Sequence, residues 1–145
     1  MTVYGYFDGP TETDEFPIDS ASAAIAVGDF LSVQSVGYFK RATDSEEVVG
    51  VAKQPCASPS ADGGATISGY TNPNTRFRFA IGNGTLDVGD VYTKCDVYTG
   101  NSIDLADTTK GNVYIMGTLN LTESNPASGT GWAICKVKFV HADTA

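Results

Sequence analysis

The side chains able to do covalent or metal chemistry are few and widely spaced. The sole histidine is His141, close to the C-terminus. With no nucleophile or second base in a familiar spacing it reads as a solvated side chain, which removes ordinary Ser-His and Cys-His catalysis. Cys56, Cys95 and Cys135 lie far apart, with none of the close pairs that structural zinc or thioredoxin-type exchange requires. They are expected to be buried free thiols. Their odd number, with no apolar N-terminal signal segment, points to a reducing compartment. Asp44, Glu46 and Glu47 cluster in a turn, and Asp87 and Asp90 flank Gly89. Neither group has the Gly-containing loop with alternate oxygen ligands of a calcium site. Asp62-Gly63-Gly64-Ala65 lacks the Gly-Lys-Ser or Gly-Lys-Thr ending of a phosphate cradle and reads as a turn. The expectation is a protein with no catalytic residue, no metal and no cofactor.

The elements that must carry these residues are strands. At 145 residues the chain has the usual size of one domain with one ordinary core. It combines 16 Gly, 7 Tyr and 7 Phe with only 18% charged residues, a profile short of the residues that surface helices use. A net charge of -8 disfavours a nucleic-acid backbone or an anionic membrane as partner, and no apolar run is long enough to span a bilayer. Apolar residues alternate or cluster in short runs broken by Gly, Asn, Asp, Ser and Pro, the pattern of strands and turns. Strands are expected near Val3–Phe7, Phe30–Gln34, Tyr38–Ala42, Val48–Lys53, Thr66–Gly69, Arg76–Ile81, Val91–Cys95, Ser102–Leu105, Val113–Leu121 and Trp132–His141. The one helical candidate is Asp19–Val27, two turns at most. The fold class is therefore all-β, a single compact β-barrel or β-sandwich.

Two strands have clear faces. Arg76-Phe77-Arg78-Phe79 sends two rings inward and two guanidinium groups outward. The strand from Trp132 does the same, with Cys135, Val137 and Phe139 on one face and Lys136 and Lys138 on the other. The sequence also echoes itself, since Val27-Gly28-Asp29-Phe30 and Val88-Gly89-Asp90-Val91 each begin a strand. A turn at Gly37 or Gly100, a second short strand and a third strand follow at Val49-Gly50-Val51 or Ile115-Met116-Gly117. Glycine supplies a positive φ and the next aspartate bonds nearby amides, so Gly28-Asp29 and Gly89-Asp90 are read as strand-opening turns of two related β-units. Residues 1–20 differ from the rest: Tyr4, Tyr6, Phe7 and Phe16 stand among acids and prolines. They read as an extended N-terminal arm that anchors on another surface, ahead of a β-domain over 21–145. Within residues 1–20, Val3–Phe7 also reads as an edge strand of the domain's own sheet.

Val27-Gly28-Asp29-Phe30-Leu31-Ser32-Val33, Phe39-Lys40-Arg41-Ala42-Thr43 and Glu47-Val48-Val49-Gly50-Val51-Ala52 together resemble the head decoration, or capsid cement, proteins of tailed bacteriophages. The likeness is clear over residues 24–53 and reaches about 118 through the internal echo. It implies a non-enzymatic virion structural protein made in the host cytoplasm and placed on the capsid exterior. There it would bridge major capsid protein subunits, often as a homo-oligomer, a trimer or dimer. The arm residues Tyr4, Tyr6, Phe7 and Phe16 would bind the capsid. Gly84-Thr85-Leu86-Asp87 with Tyr92 resembles the dUTPase strand-turn only faintly, because the tyrosine falls too late and the other motifs of that family are missing. The rival reading is a carbohydrate- or receptor-binding β module of a phage particle, with Tyr70, Tyr92, Tyr98 and Trp132 as its platform.

Overall fold

The computed structural model describes residues 5–124 and 130–140. Over these residues the protein is all-β, two sheets packed together in a compact, sandwich-like body. In chain order the strands are β1 Gly5–Asp8, β2 Thr13–Pro17, β3 Phe30–Ser35, β4 Tyr38–Arg41, β5 Gly50–Ala52, β6 Thr66–Tyr70, β7 Arg76–Asn83, β8 Lys94–Val97, β9 Ser102–Asp104, β10 Val113–Ser124 and β11 Thr130–Val137. One sheet has the order β2-β6-β5-β3-β4, and the other β1-β7-β11-β10-β8-β9.

With β1 set aside, the second order is the first repeated. β2 to β6 and β7 to β11 are two five-stranded units of one topology, and their registers match pair by pair. Phe16↔Ile67 corresponds to Phe79↔Ala133, Val33↔Phe39 to Val97↔Ile103, and Leu31↔Gly50 to Cys95↔Val113. Even the parallel contact that rolls each sheet onto itself recurs, as Ile18↔Phe39 in the first unit and Ile81↔Ile103 in the second. The expected two-fold repeat is thus present, but the motif that suggested it is out of register. The motif would place Phe30 on Val91, whereas the strand pairing places it on Lys94.

The units pack in series. Inside the first, Phe16, Ile18, Leu31, Phe39, Val49 and Ile67 form one core. The second unit encloses Phe77, Phe79, Val97, Ile103, Ile115 and Cys135, and its core also takes in Phe30, Val48, Val51 and Tyr70 from the outer face of the first. β5 and the first half of β3 are therefore buried on both faces, so that the adjacent Phe30 and Leu31 are both core residues. Phe30 lies 4.2 Å from Phe79, ring centre to ring centre. Its amide donates to the Gly100 carbonyl at 2.8 Å, while the Gly100 amide donates to Ala42 at 3.1 Å. Gly100 makes this turn at φ +55, a left-handed conformation that favours glycine.

Three sequence expectations are corrected. Asp19–Val27 is not helical. Asp19 turns its carboxylate onto the Ala21 amide at 2.8 Å, and Ile25 pairs its backbone with Cys56, so both ends of the segment are held in turns. The strand expected at Val91–Cys95 begins only at Lys94. Ahead of it Asp87 and Asp90 cap a 3-10 turn over Val88–Asp90, each bonding the other's end of the turn. Lastly, residues 5–17 do not stand away as an arm. β1 pairs with β7 and β2 with β6, which places them within the two sheets.

Removing residues 1–18 takes out β2 together with Phe16 and Ile18. The truncated chain is expected to lose its cooperative thermal transition in circular dichroism, and Phe16→Ala alone to cost about 3–5 kcal/mol in denaturant unfolding. A truncated chain that melts like the whole one would refute this account of β2.

Candidate docking surface

Two of the three thiols are held in their unreactive form. All three thiols are buried and unbridged. Burial, with the carboxylates of Asp96, Asp104 and Asp90 behind it, pushes the Cys95 thiol up to about 12, and burial pushes Cys135 well above its ordinary value. Neither forms the thiolate that nucleophilic chemistry needs. Among the described residues one acidic cluster has metal-like spacing, Asp44, Asp104 and Asp107, whose oxygens lie within 4.8 Å of one another. These carboxylates are engaged by neighbouring donors, and Asp107 joins the two units. Asp107 accepts from the Ser45 hydroxyl at 2.6 Å and the Thr109 amide at 3.0 Å, and Asp104 accepts from Asn83 at 3.0 Å and the Ala106 amide at 3.0 Å. Sequence spacing had grouped Asp44 with Glu46 and Glu47. Glu46 instead turns back onto Thr43 and Lys40.

The residues singled out in the sequence are dispersed. Tyr4 and His141 lie outside the described residues. Phe16 is 2% exposed, at the centre of the first core, and so cannot anchor on another surface. Tyr6 stacks on Tyr70 at 5.4 Å and packs against the second core, leaving Phe7 as the open arm residue. Gly28 has φ +90 and delivers Asp29 into the body, where its carboxylate accepts from the Ala26 amide at 2.8 Å and from Arg41 at 3.1 Å. Burial pushes that carboxyl up, while the Ala26 amide and the Arg41 guanidinium hold it down. Gly28 and Asp29 therefore open β3 as expected. Gly89 and Asp90 shape the 3-10 turn and are separated from β8 by Val91, Tyr92 and Thr93. Of the glycan-platform residues, Trp132 and Tyr70 are buried and Tyr98 is half-buried, while Tyr92 is 80% exposed.

What remains open is the outward face of the second sheet. On β10, Val113 and Ile115 point into the core, so Tyr114 between them points out and is 40% exposed. Its register partners are Lys94 on β8 and Lys136 on β11, which makes a row of cation, ring and cation across three strands. Beside the row, Tyr92, Tyr114, Met116, Lys136, Lys138 and Pro73 border a groove of about 340 Å³. Farther along the same sheet Arg76 and Arg78 lie over the Phe7 ring at 5.6 and 5.5 Å, and both Arg76 guanidinium nitrogens facing Asp8 bond its carboxylate. The sequence marked Arg76, Arg78, Lys136 and Lys138 as outward. It gave no sign of Lys94, Tyr114 or Met116, although the alternation Val113-Tyr114-Ile115 was there to read.

Tyr92 is strained. It adopts φ +70, a left-handed conformation that costs a non-glycine residue about 1–2 kcal/mol, and it is held there by its amide donating to the Ile115 carbonyl at 2.7 Å. A bulky exposed ring in such a position gains nothing for the core, and strain of this kind gathers where a side chain is needed at a surface.

No known protein family matches the chain, and no curated protein matches it.

The Ser45 hydroxyl and the Thr109 amide bonded to Asp107 hold its carboxyl down to about 2, from an ordinary 3.8. Its contribution to stability is complete above 3.8 and is lost as the pH falls towards about 2. Asp107→Asn is expected to melt below the wild-type protein at about pH 5, with the gap closing by about pH 2; a gap that does not change with pH would overturn this role for Asp107.

Proposed function

We propose that this protein is a non-enzymatic virion structural protein that binds the outer surface of an assembled phage capsid and stabilises it by bridging major capsid subunits. The observation that carries the reading is the open cationic and aromatic face of the second sheet, mounted on two interlocked β-units. Tyr92, Tyr114 and Met116 are residue types enriched at the centres of protein interfaces, and the lysines beside them suit a polar rim. A body whose two units share one core resists deformation while load passes through it. The resemblance of residues 24–53 to capsid cement proteins supplies the class of partner. A clamp of this kind works by area and repetition, with each copy covering on the order of 1,600 Å² and neighbouring copies reinforcing the same shell. The attachment surface is the sheet face rather than the N-terminal segment, because Phe16 and Tyr6 are spent on the protein's own packing.

Tyr92 and Tyr114 on one groove also favour a second reading, a carbohydrate- or receptor-binding module of a phage particle. Co-sedimentation of the purified protein with shells that lack it, followed by heat or osmotic shock, separates the two. Binding with protection of the shell supports the cement reading. No binding to shells, together with a hit on a glycan array, would replace it with the second.

A further inference from the structure

The repeat shows what is unusual about the open face. In the first unit the row Phe30–Val51–Tyr70 runs across β3, β5 and β6. The matching row in the second unit is Lys94–Tyr114–Lys136 across β8, β10 and β11. The first row is apolar and buried against the second unit. The second occupies the same place on the same topology, and among the described residues no further unit covers it. Units stacked in series with apolar rows throughout would leave a sticky end that recruits further copies, and an end unit normally avoids this with a polar outer face. Lysines at both ends of the row meet that need. They do not account for Tyr114, for Met116, or for Tyr92 held in a strained backbone conformation at the groove.

Charge completes the argument. The protein carries nine cationic residues against seventeen acidic ones. Arg76, Arg78, Lys94 and Lys136 nevertheless gather on this one sheet with Lys138 beside it, and Asp8 pairs with Arg76. A cationic patch on an anionic protein repels a second copy's acidic surface less than any other part of the molecule does. It also attracts acidic partners from a distance greater than contact. A net charge of -8 works against a long polyanion such as nucleic acid, which would have to lie close to the acidic remainder as well. A short acidic segment of a protein need touch only the face.

We infer that the Lys94–Tyr114–Lys136 row and the adjoining groove form the docking surface for an acidic, extended polypeptide segment, whose carboxylates meet the lysines and whose apolar side chains lie on Tyr92, Tyr114 and Met116. The inference rests on the proposed function in taking that segment to belong to the shell subunit. It deepens that reading by naming the face and the partner's chemistry.

Two probes test it, shells that lack the protein and poly-L-glutamate, each titrated against the full chain with a single-stranded oligonucleotide as comparison. The triple variant K94E/K136E/K138E is expected to bind shells and polyglutamate at least about tenfold more weakly, with wild-type binding falling as salt rises. Lys53→Glu, a charge reversal on the first unit, should stay within about twofold. Tyr92→Gly relieves the left-handed strain, so it should melt no lower than the wild type yet bind shells more weakly. Shell binding untouched by the triple variant overturns this surface and leaves the proposed function standing. Lys136-dependent binding of polyglutamate without any shell binding does the reverse. Tighter binding of the oligonucleotide than of polyglutamate overturns the inference in favour of a nucleic-acid partner, and full shell binding by Tyr92→Gly overturns the role given to the groove.

Discussion

The fold depends on seating the outer face of one unit in the core of the next. Phe30, Val51 and Tyr70 would be surface residues if the first unit stood alone, and the second unit would have an open mouth around Phe77 and Phe79. Each large apolar side chain removed from water contributes about 1.5–3 kcal/mol, so neither unit is expected to keep its structure once parted from the other. Backbone bonds across the joint, from Phe30 to Gly100, Gly100 to Ala42 and Ser45 to Val97, fix the angle at which the units meet. The buried polar groups at the joint are bonded in part: Asp29 Oδ2 accepts from Ala26 and Arg41, and Asn112 Nδ2 donates to the Glu46 carbonyl at 3.1 Å, while Asp29 Oδ1 and Asn112 Oδ1 are buried with no partner.

Serial packing leaves two ends to be closed, and the chain closes them differently. Among the described residues no further unit partners the mouth of the first, and segments outside the repeat cover it. Ile25 and Cys56 join their backbones over the first core and pack into it, and Ala65 adds to it from the loop before β6. The far end is the outer face of the second unit, where lysines replace the buried apolar residues of the first. The same topology thus yields an apolar joint inside the molecule and a charged, ring-bearing surface outside it. Only the side chains on three strands differ.

Such a body suits the structural task proposed for it. Both units are rolled shut by parallel contacts, Cys95 and Cys135 are held as thiols by burial, and the clustered carboxylates are tied to hydroxyls and amides. Among the described residues left-handed non-glycine backbone occurs at Ser45, Tyr92 and Asn120, none of them a core residue, and at Tyr92 it presents a ring to solvent. Binding at such a surface would need little rearrangement of the backbone, which lowers the entropic cost of attachment.

Much of the fold was legible because it is local. Alternation in Arg76–Phe79 and from Trp132 onward fixed which residues face inward, and Gly and Asp at the turns fixed where strands break. The outward cations Arg76, Arg78, Lys136 and Lys138 followed from the same alternation. Pairing was not local. The strand Thr13–Pro17 has two acids and a proline around one phenylalanine, and only β6 beside it makes Phe16 a core residue, so its segment looked like a free arm. The repeat was noticed through Gly-Asp turns that do not superpose, because turn chemistry recurs wherever strands begin, whereas register is set by what packs on each face. The assembly of Lys94, Tyr114 and Lys136 into one row, from three strands distant in sequence, was decided by tertiary structure alone. The sequence determines which way each side chain points from its strand; which strands lie side by side is settled by burying both faces of β5 and of the first half of β3 at once, a condition that no single segment can meet or reveal.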